Sequence, residues 1–549
     1  MRGNRGLLSA RVALVTLAPF TLGQYTALPA NATSTVSPLP TVVLDYALYE
    51  GSRYESGVDA YLGMRFAAPP LGDLRFRAPQ DPIAETGIQE AKTYGPICIG
   101  TDQTITSTRA EDCLFANVFT PSNATFESKL PVWVYIQGGG YATNSNSDYN
   151  GTEVVLQSGQ GIVFVNFNYR VGIFGFLASE EIRQNGDLNV GLLDQRKLLL
   201  WVKSYIKQFG GDPDHIVIHG TSAGGGSVSY HLVAYGGRDD SLFHGAIAQS
   251  PFWPTAPTVD EMEFQYQDVL NETGCKTSND SVTCLRALDV NSFITLDVEG
   301  TFPGATGVAR WYWLPVKDGD LIRGDKWDMF DRGEFIKVPL FVATDNNEGS
   351  YFVPSANTSS DVETFFNNNY PKLNDSQLEE IIDMYPLMAP LPEHGPWFPS
   401  VSAAYGDATF LCPANSLSAN MAKFYSPDKV WEYRCYITTA SLEAEGLGTP
   451  HTFEMPAILG TNLGSSVDST WFDENAASVP IIMHYYISFI KSLDPNTYRY
   501  RSAPEWEPWG SCDGRRLRLA TNATRMEDVP HNMTAACNMW DELSDTMEV

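Results

Sequence analysis

The chain has 549 residues, 43% of them hydrophobic, and a formal net charge of −29 at pH 7. That length and apolar content supply a large core. The acidic balance excludes a nucleic acid or an anionic membrane surface as partner and reads as a solvated acidic surface, with weak attraction of cationic small molecules as its functional consequence.

Arg2, Arg5 and Arg11 precede the apolar run Val12 to Leu22, and small residues surround Gly23 to Ala27. Residues 1–24 therefore read as a secretory signal peptide, too short to span a bilayer. No later segment reaches the roughly 18 apolar residues of a membrane span, and the stretch Ser544 to Val549 carries neither a retention signal nor an anchor tail. A secreted, extracellular protein is expected. Sequons at Asn31, Asn123, Asn150, Asn271, Asn279, Asn357, Asn374, Asn522 and Asn532 mark surface loops open to N-glycosylation. The eight cysteines form no C-x-x-C pair, which favours disulfides over zinc. Cys98 with Cys113 and Cys275 with Cys284 would close short local loops. Spacing leaves Cys412, Cys435, Cys512 and Cys537 unpaired. No metal site and no cofactor motif is read from the chain, and its length gives no oligomeric state.

From residue 37 to residue 549 strands and helices alternate as in a single domain. Pro131 to Ile136 reads as a buried strand ending in Gly138-Gly139-Gly140, and Gly161 to Asn166 as another. Leu192 to Gln208 has helical periodicity. Strands follow at Ile216 to His219, Gly245 to Gln249, Val338 to Thr344 and Val430 to Ile437, with a helical run at Ile481 to Ile490 and a last edge strand at Arg516 to Ala520. Pro386 to Pro399 is a loop. Such alternation predicts an α/β protein with a large, mostly parallel central sheet covered by helices on both faces.

The chemistry concentrates at His215-Ile216-Val217-Ile218-His219-Gly220-Thr221-Ser222-Ala223-Gly224. A β-branched strand runs into Gly220-x-Ser222-x-Gly224 and then into a helix, the spacing of a nucleophile elbow. The tight turn needs residues without a Cβ on both sides of the serine, and the helix start favours a developing negative charge. A serine nucleophile requires a base, and the base an orienting acid, following in chain order. Among His394, His451, His484 and His531, His451 follows a strand and the flexible loop Gly446 to Pro450. For the acid, Asp345 and Glu348 both follow the Val338 to Thr344 strand, at the end where sites form, and physical chemistry does not choose between them.

Three segments add a resemblance: Tyr61-Leu62-Gly63-Met64-Arg65-Phe66-Ala67-Ala68-Pro69-Pro70, Glu111-Asp112-Cys113-Leu114-Phe115-Ala116-Asn117-Val118 and Phe209-Gly210-Gly211-Asp212-Pro213. In combination they resemble the type-B carboxylesterase/lipase family, which includes cholinesterases, fungal lipases and carboxylesterases. The resemblance implies an α/β-hydrolase fold and a triad of Ser222, Glu348 and His451, the acid chosen because Asn347-Glu348-Gly349-Ser350 matches the family motif. It implies an oxyanion hole of the Gly139, Gly140 and Ala223 amides. It supports the two local disulfides and suggests Cys412–Cys537, with Cys435–Cys512 left over; Cys412–Cys435 with Cys512–Cys537 stays open. Two positions depart from the family pattern, Gln137 before the glycine run and Thr221 before the nucleophile.

These readings predict a serine esterase acting through an acyl-enzyme on a small-molecule ester. The family also contains adhesion proteins without the triad, but here all three triad positions are filled. The 14 residues between Cys98 and Cys113 hold Ile99 and Ile105 as their only large aliphatics, too short and polar for a lipase lid. That loop has no tryptophan of the choline-binding kind. Trp311-Tyr312-Trp313-Leu314-Pro315 resembles the family's acyl-pocket stretch, with Phe252, Trp253, Tyr351 and Phe352 as further lining candidates. Bulky aromatics there predict short acyl groups, and a lipase or sterol esterase is the alternative.

Overall fold

A computed structural model describes residues 39–144, 149–461, 467–511 and 514–549. The expected signal peptide, Asn31 and Cys512 lie outside these. Along Leu130–Ile136 the side chains alternate between two apolar layers: Val132, Val134 and Ile136 enter one core, Trp133 and Tyr135 the other. Ile216 and Ile218 join the first and Val217 the second. A strand buried on both faces belongs in the middle of a sheet, and that is where these two pair.

Among the described residues the central sheet has 11 strands. In chain order they are β1 (Ser52–Arg53), β2 (Val58–Arg65), β3 (Phe115–Pro121), β4 (Leu130–Ile136), β5 (Val163–Phe167), β6 (Gly211–Thr221), β7 (Gly245–Gln249), β8 (Leu340–Asp345), β9 (Val430–Cys435), β10 (Arg515–Leu519) and β11 (Arg525–Asp528). Their spatial order is β1-β2-β3-β5-β4-β6-β7-β8-β9-β10-β11. Pairing is parallel from β5 to β10 and antiparallel outside them. The sheet is thus mostly parallel with helices packed on both faces.

Six helices matter below: α1 (Val190–Tyr205), α2 (Ala223–Gly237), α3 (Phe398–Gly406), α4 (Cys412–Phe424), α5 (Val479–Ser492) and α6 (His531–Met547). Leu39 to Val549 forms one compact unit. Among the described residues no helix is long and apolar enough to cross a membrane.

Three disulfides are present among the described residues, Cys98–Cys113, Cys275–Cys284 and Cys412–Cys537. The last excludes the local alternative Cys412–Cys435. Cys435, at the buried end of β9, has no disulfide partner among the described residues. Of the sequon asparagines, Asn123, Asn271, Asn279, Asn357, Asn374, Asn522 and Asn532 are exposed and Asn150 is half-buried.

The edge-strand expectation needs correction. The expected Arg516 to Ala520 strand is β10 (Arg515–Leu519), and β11 pairs antiparallel outside it. Helix α1 also stops at Tyr205, the chain tightening into a 3₁₀ turn over Ile206–Phe209.

Candidate active site

Ser222 joins β6 to α2 with φ 59° and ψ −123°, a conformation that strains any residue with a Cβ. The close packing of the elbow explains why glycines flank it. A Cβ on Gly220 would lie 1.9 Å from the Gly224 carbonyl oxygen, and one on Gly224 would lie 2.0 Å from that of Ile136. The strained residue is pinned through its backbone, its N–H donating to the Gln249 carbonyl at 3.0 Å and its carbonyl accepting from Gly226 at 2.8 Å. Ala223 is the first residue of α2, so its N–H has no partner within the helix.

His451 lies in the loop after β9, and Glu348 in the 3₁₀ turn Glu348–Tyr351 after β8. His451 Nδ1 is in hydrogen-bond contact with Glu348 Oε2. Glu348 is fully buried; its Oε1 accepts from the Ser250 hydroxyl at 2.8 Å and from the Asp345 backbone N–H at 2.7 Å. The other imidazole nitrogen, Nε2, is buried and has no hydrogen-bond partner among the described residues. This geometry separates the two acid candidates: Glu348 meets the imidazole, while the Asp345 side chain accepts from the Thr452 N–H at 2.7 Å.

The remaining histidines sit elsewhere. His394 stacks on Phe398 at 3.6 Å, His484 faces the Tyr498 carbonyl, and His531 is the exposed first residue of α6. His219 and His231 are fully buried, and desolvation pushes each down to about 3, so both are neutral core residues.

Aromatic rings wall the imidazole. Phe352 lies 5.0 Å from the His451 ring and Phe410 4.6 Å. Phe252 and Phe352 flank Trp311 at 5.5 and 5.9 Å. Trp311 covers the glycine run, since a Cβ on Gly140 would fall 2.0 Å from its ring. Tyr351 is half-exposed on the same turn. Two expected lining residues turn away. Trp253 stacks on Phe330 at 5.5 Å and donates to Ser229 Oγ at 2.9 Å. Trp313 is buried edge-on against Tyr312 at 4.9 Å. Trp253 directly follows Phe252 and so points the other way, whereas Trp313 lies in irregular chain that does not keep the two-residue period of a strand.

Sequence reasoning missed Ser250, Phe410 and Glu454. Ser250 was within reach of the strand-end rule, since it directly follows β7. Phe410 arrives on the π-helical stretch Asp407–Leu411 between α3 and α4, which has no comparable signal.

A serine elbow beside a buried carboxylate–imidazole pair on this sheet defines an α/β-hydrolase. Residues 39–540 match the model of the carboxylesterase family, and the chain belongs to that family. It is an ester-hydrolysing enzyme. EstA of Aspergillus niger, known from its crystal structure, is 56% identical with a TM-score of 0.91, covering 93% of this chain and 99% of its own. Secreted lipase 4 of Gibberella zeae is 30% identical, covering 90% of this chain and 87% of its own. Lipase 2 of Geotrichum candidum is 31% identical, covering 80% and 85%. Three disulfides and relatives named as secreted enzymes agree with an extracellular protein.

Proposed function

We propose that the protein is a carboxylesterase with Ser222 as nucleophile, His451 as base and Glu348 as orienting acid, acting on esters of short acyl chains. The observation carrying this reading is the buried Glu348–His451 contact with the imidazole Nε2 left unpartnered. Ser222 Oγ attacks the ester carbonyl while Nε2 takes its proton, and Glu348 stabilises the imidazolium. The amides of Gly139, Gly140 and Ala223 hold the oxyanion, and His451 returns the proton to the departing alcohol. Water then hydrolyses the acyl-enzyme by the same route.

The Trp311 ring over the glycine run supports the short-acyl preference. Against a lipase lid stand the buried Ile99 and the singly exposed Ile105 of the Cys98–Cys113 loop, which offer no apolar face to a lipid surface. The relatives named lipases make triglyceride hydrolysis the alternative.

Ser222→Ala and His451→Ala should each lower kcat by about 10⁴-fold or more, and His394→Ala should retain most turnover. An organophosphate adduct on another serine overturns the assignment. Faster hydrolysis of long-chain triglyceride emulsions than of soluble butyrate esters overturns the substrate class.

A further inference from the structure

Beneath the site lie two further carboxylates, Asp345 and Glu454, both fully buried. Asp345 Oδ2 accepts from the N–H of Thr452, the residue after the base. Thr452 has φ 62°, left-handed backbone that a β-branched residue adopts only when held. The N–H of Asp345 itself donates to Glu348 Oε1. Glu454 Oε1 accepts from Tyr433 OH at 2.7 Å and from Gln249 Nε2 at 2.8 Å. Gln249 Oε1 in turn accepts from Thr221 Oγ1 at 2.7 Å, beside the nucleophile. Each carboxyl keeps one buried oxygen without a partner, Asp345 Oδ1 and Glu454 Oε2.

The two side chains are within hydrogen-bonding reach of each other. Two ionised carboxylates are acceptors only, so they can bond each other only through a proton, while the Cys435 thiol is a further donor within reach of Asp345. Glu348 faces the pair from the turn after β8, His451 from its own loop, Cys435 and Tyr433 from β9, and Tyr486 from α5. Desolvation, with the Glu454 and Glu348 carboxylates, pushes the Asp345 carboxyl well above the usual range.

We propose that Asp345 is a positioning residue for the triad and that it shares one proton with Glu454, so the pair carries a single negative charge beneath His451. This rests on the triad reading above. Asp345 Oδ2 clamps the strained turn that aims the imidazole, its backbone fixes the acid, and the shared proton joins both to the elbow through Glu454 and Gln249. The remaining charge adds to that of Glu348 in stabilising the imidazolium.

Isosteric variants test the arrangement. Asp345→Asn leaves the charge on Glu454, and Glu454→Gln leaves it on Asp345. Each should hold the acid limb of the kcat/KM profile within about 0.3 pH unit, whereas the double variant should move it to lower pH by about one unit, an anion having been lost near the imidazolium. Asp345→Ala should lower kcat about 100-fold with KM little changed, and Asp345→Asn should bring kcat back to within about 5-fold of wild type. Infrared difference spectra at pH 7, wild type minus Asp345→Asn and wild type minus Glu454→Gln, should each show a protonated-carboxyl band, the contributions of Asp297 and Glu432 cancelling. Single variants that each shift the limb mean both groups were ionised, and a double variant that does not shift it means the pair does not act on His451; either result overturns the proposal. Absence of that band from either difference spectrum also overturns it, whatever Ser222 and His451 prove to do.

Discussion

Trp311 and Trp313 have the same side chain two positions apart and opposite surroundings. Trp311 covers the glycine run and donates from Nε1 to Tyr405 OH at 3.1 Å. Trp313 is 2% exposed within the core. Trp311→Ala should therefore admit longer acyl chains, read as a rise in kcat/KM for octanoate over butyrate esters. Trp313→Ala should leave that ratio unchanged and cost about 3–5 kcal/mol of stability through its cavity, measured by denaturant unfolding. Residue identity alone does not separate the two. The same holds for Asp345 and Glu348, which share one strand end and are told apart only by which carboxyl meets the imidazole. The strand–turn–helix at Ser222 was legible because so tight a turn demands a rare local pattern. The orienting and supporting residues are selected by tertiary contact, which leaves little mark on spacing.

Among the elements, strands buried on both faces were the most legible. Gly245–Gln249 matches its expected bounds, and β4, β5, β8 and β9 differ only at their ends. The edge strand β11 was not seen because Arg-Met-Glu-Asp carries no apolar run; its identity comes from pairing with β10. The π-helical stretch between α3 and α4 was equally hidden, yet it brings Phe410 against the His451 ring. Its C-terminal neighbour α4 begins at Cys412, which the third disulfide ties to Cys537 in α6 across a separation of 125 residues. Constraining so long a loop chiefly penalises the unfolded chain. The Cys412→Ala/Cys537→Ala double variant should lose roughly 2–5 kcal/mol of stability and keep most of its kcat at 25 °C, checked by calorimetry and by ester hydrolysis.

Over the whole molecule, buried acids and buried histidines pull stability in opposite directions with pH. Desolvation pushes Asp297 and Glu432 up to about 7, so the folded state binds protons the unfolded chain has released. Their contribution is complete below the ordinary carboxylate range and is lost as pH rises through about 7. His219 and His231 are held down to about 3, and their contribution is lost as pH falls from about 6.5 toward that value. The two effects offset each other in mildly acidic medium, leaving the acids exposed as the alkaline weakness. Asp297→Asn keeps the acceptor for Thr101 Oγ1 and the Ile173 N–H. It should leave Tm unchanged near pH 4 and raise it near pH 8, as differential scanning fluorimetry would read.

The strand order also bears on how the protein is made. From β6 to β11 the strands are laid down in the sheet in the order in which a ribosome delivers them. Each newly finished strand becomes the outermost one, and through β7 and β8 it is wholly buried in the finished fold. A nascent chain thus presents an open apolar border throughout synthesis of its second half, the state in which association with other unfinished chains is easiest. Only β11, short and with three charged residues in four, closes that border. The growing polypeptide depends on protection until Arg525–Asp528 emerges, and the secretory pathway receives a molecule whose solubility is conferred near the end of translation.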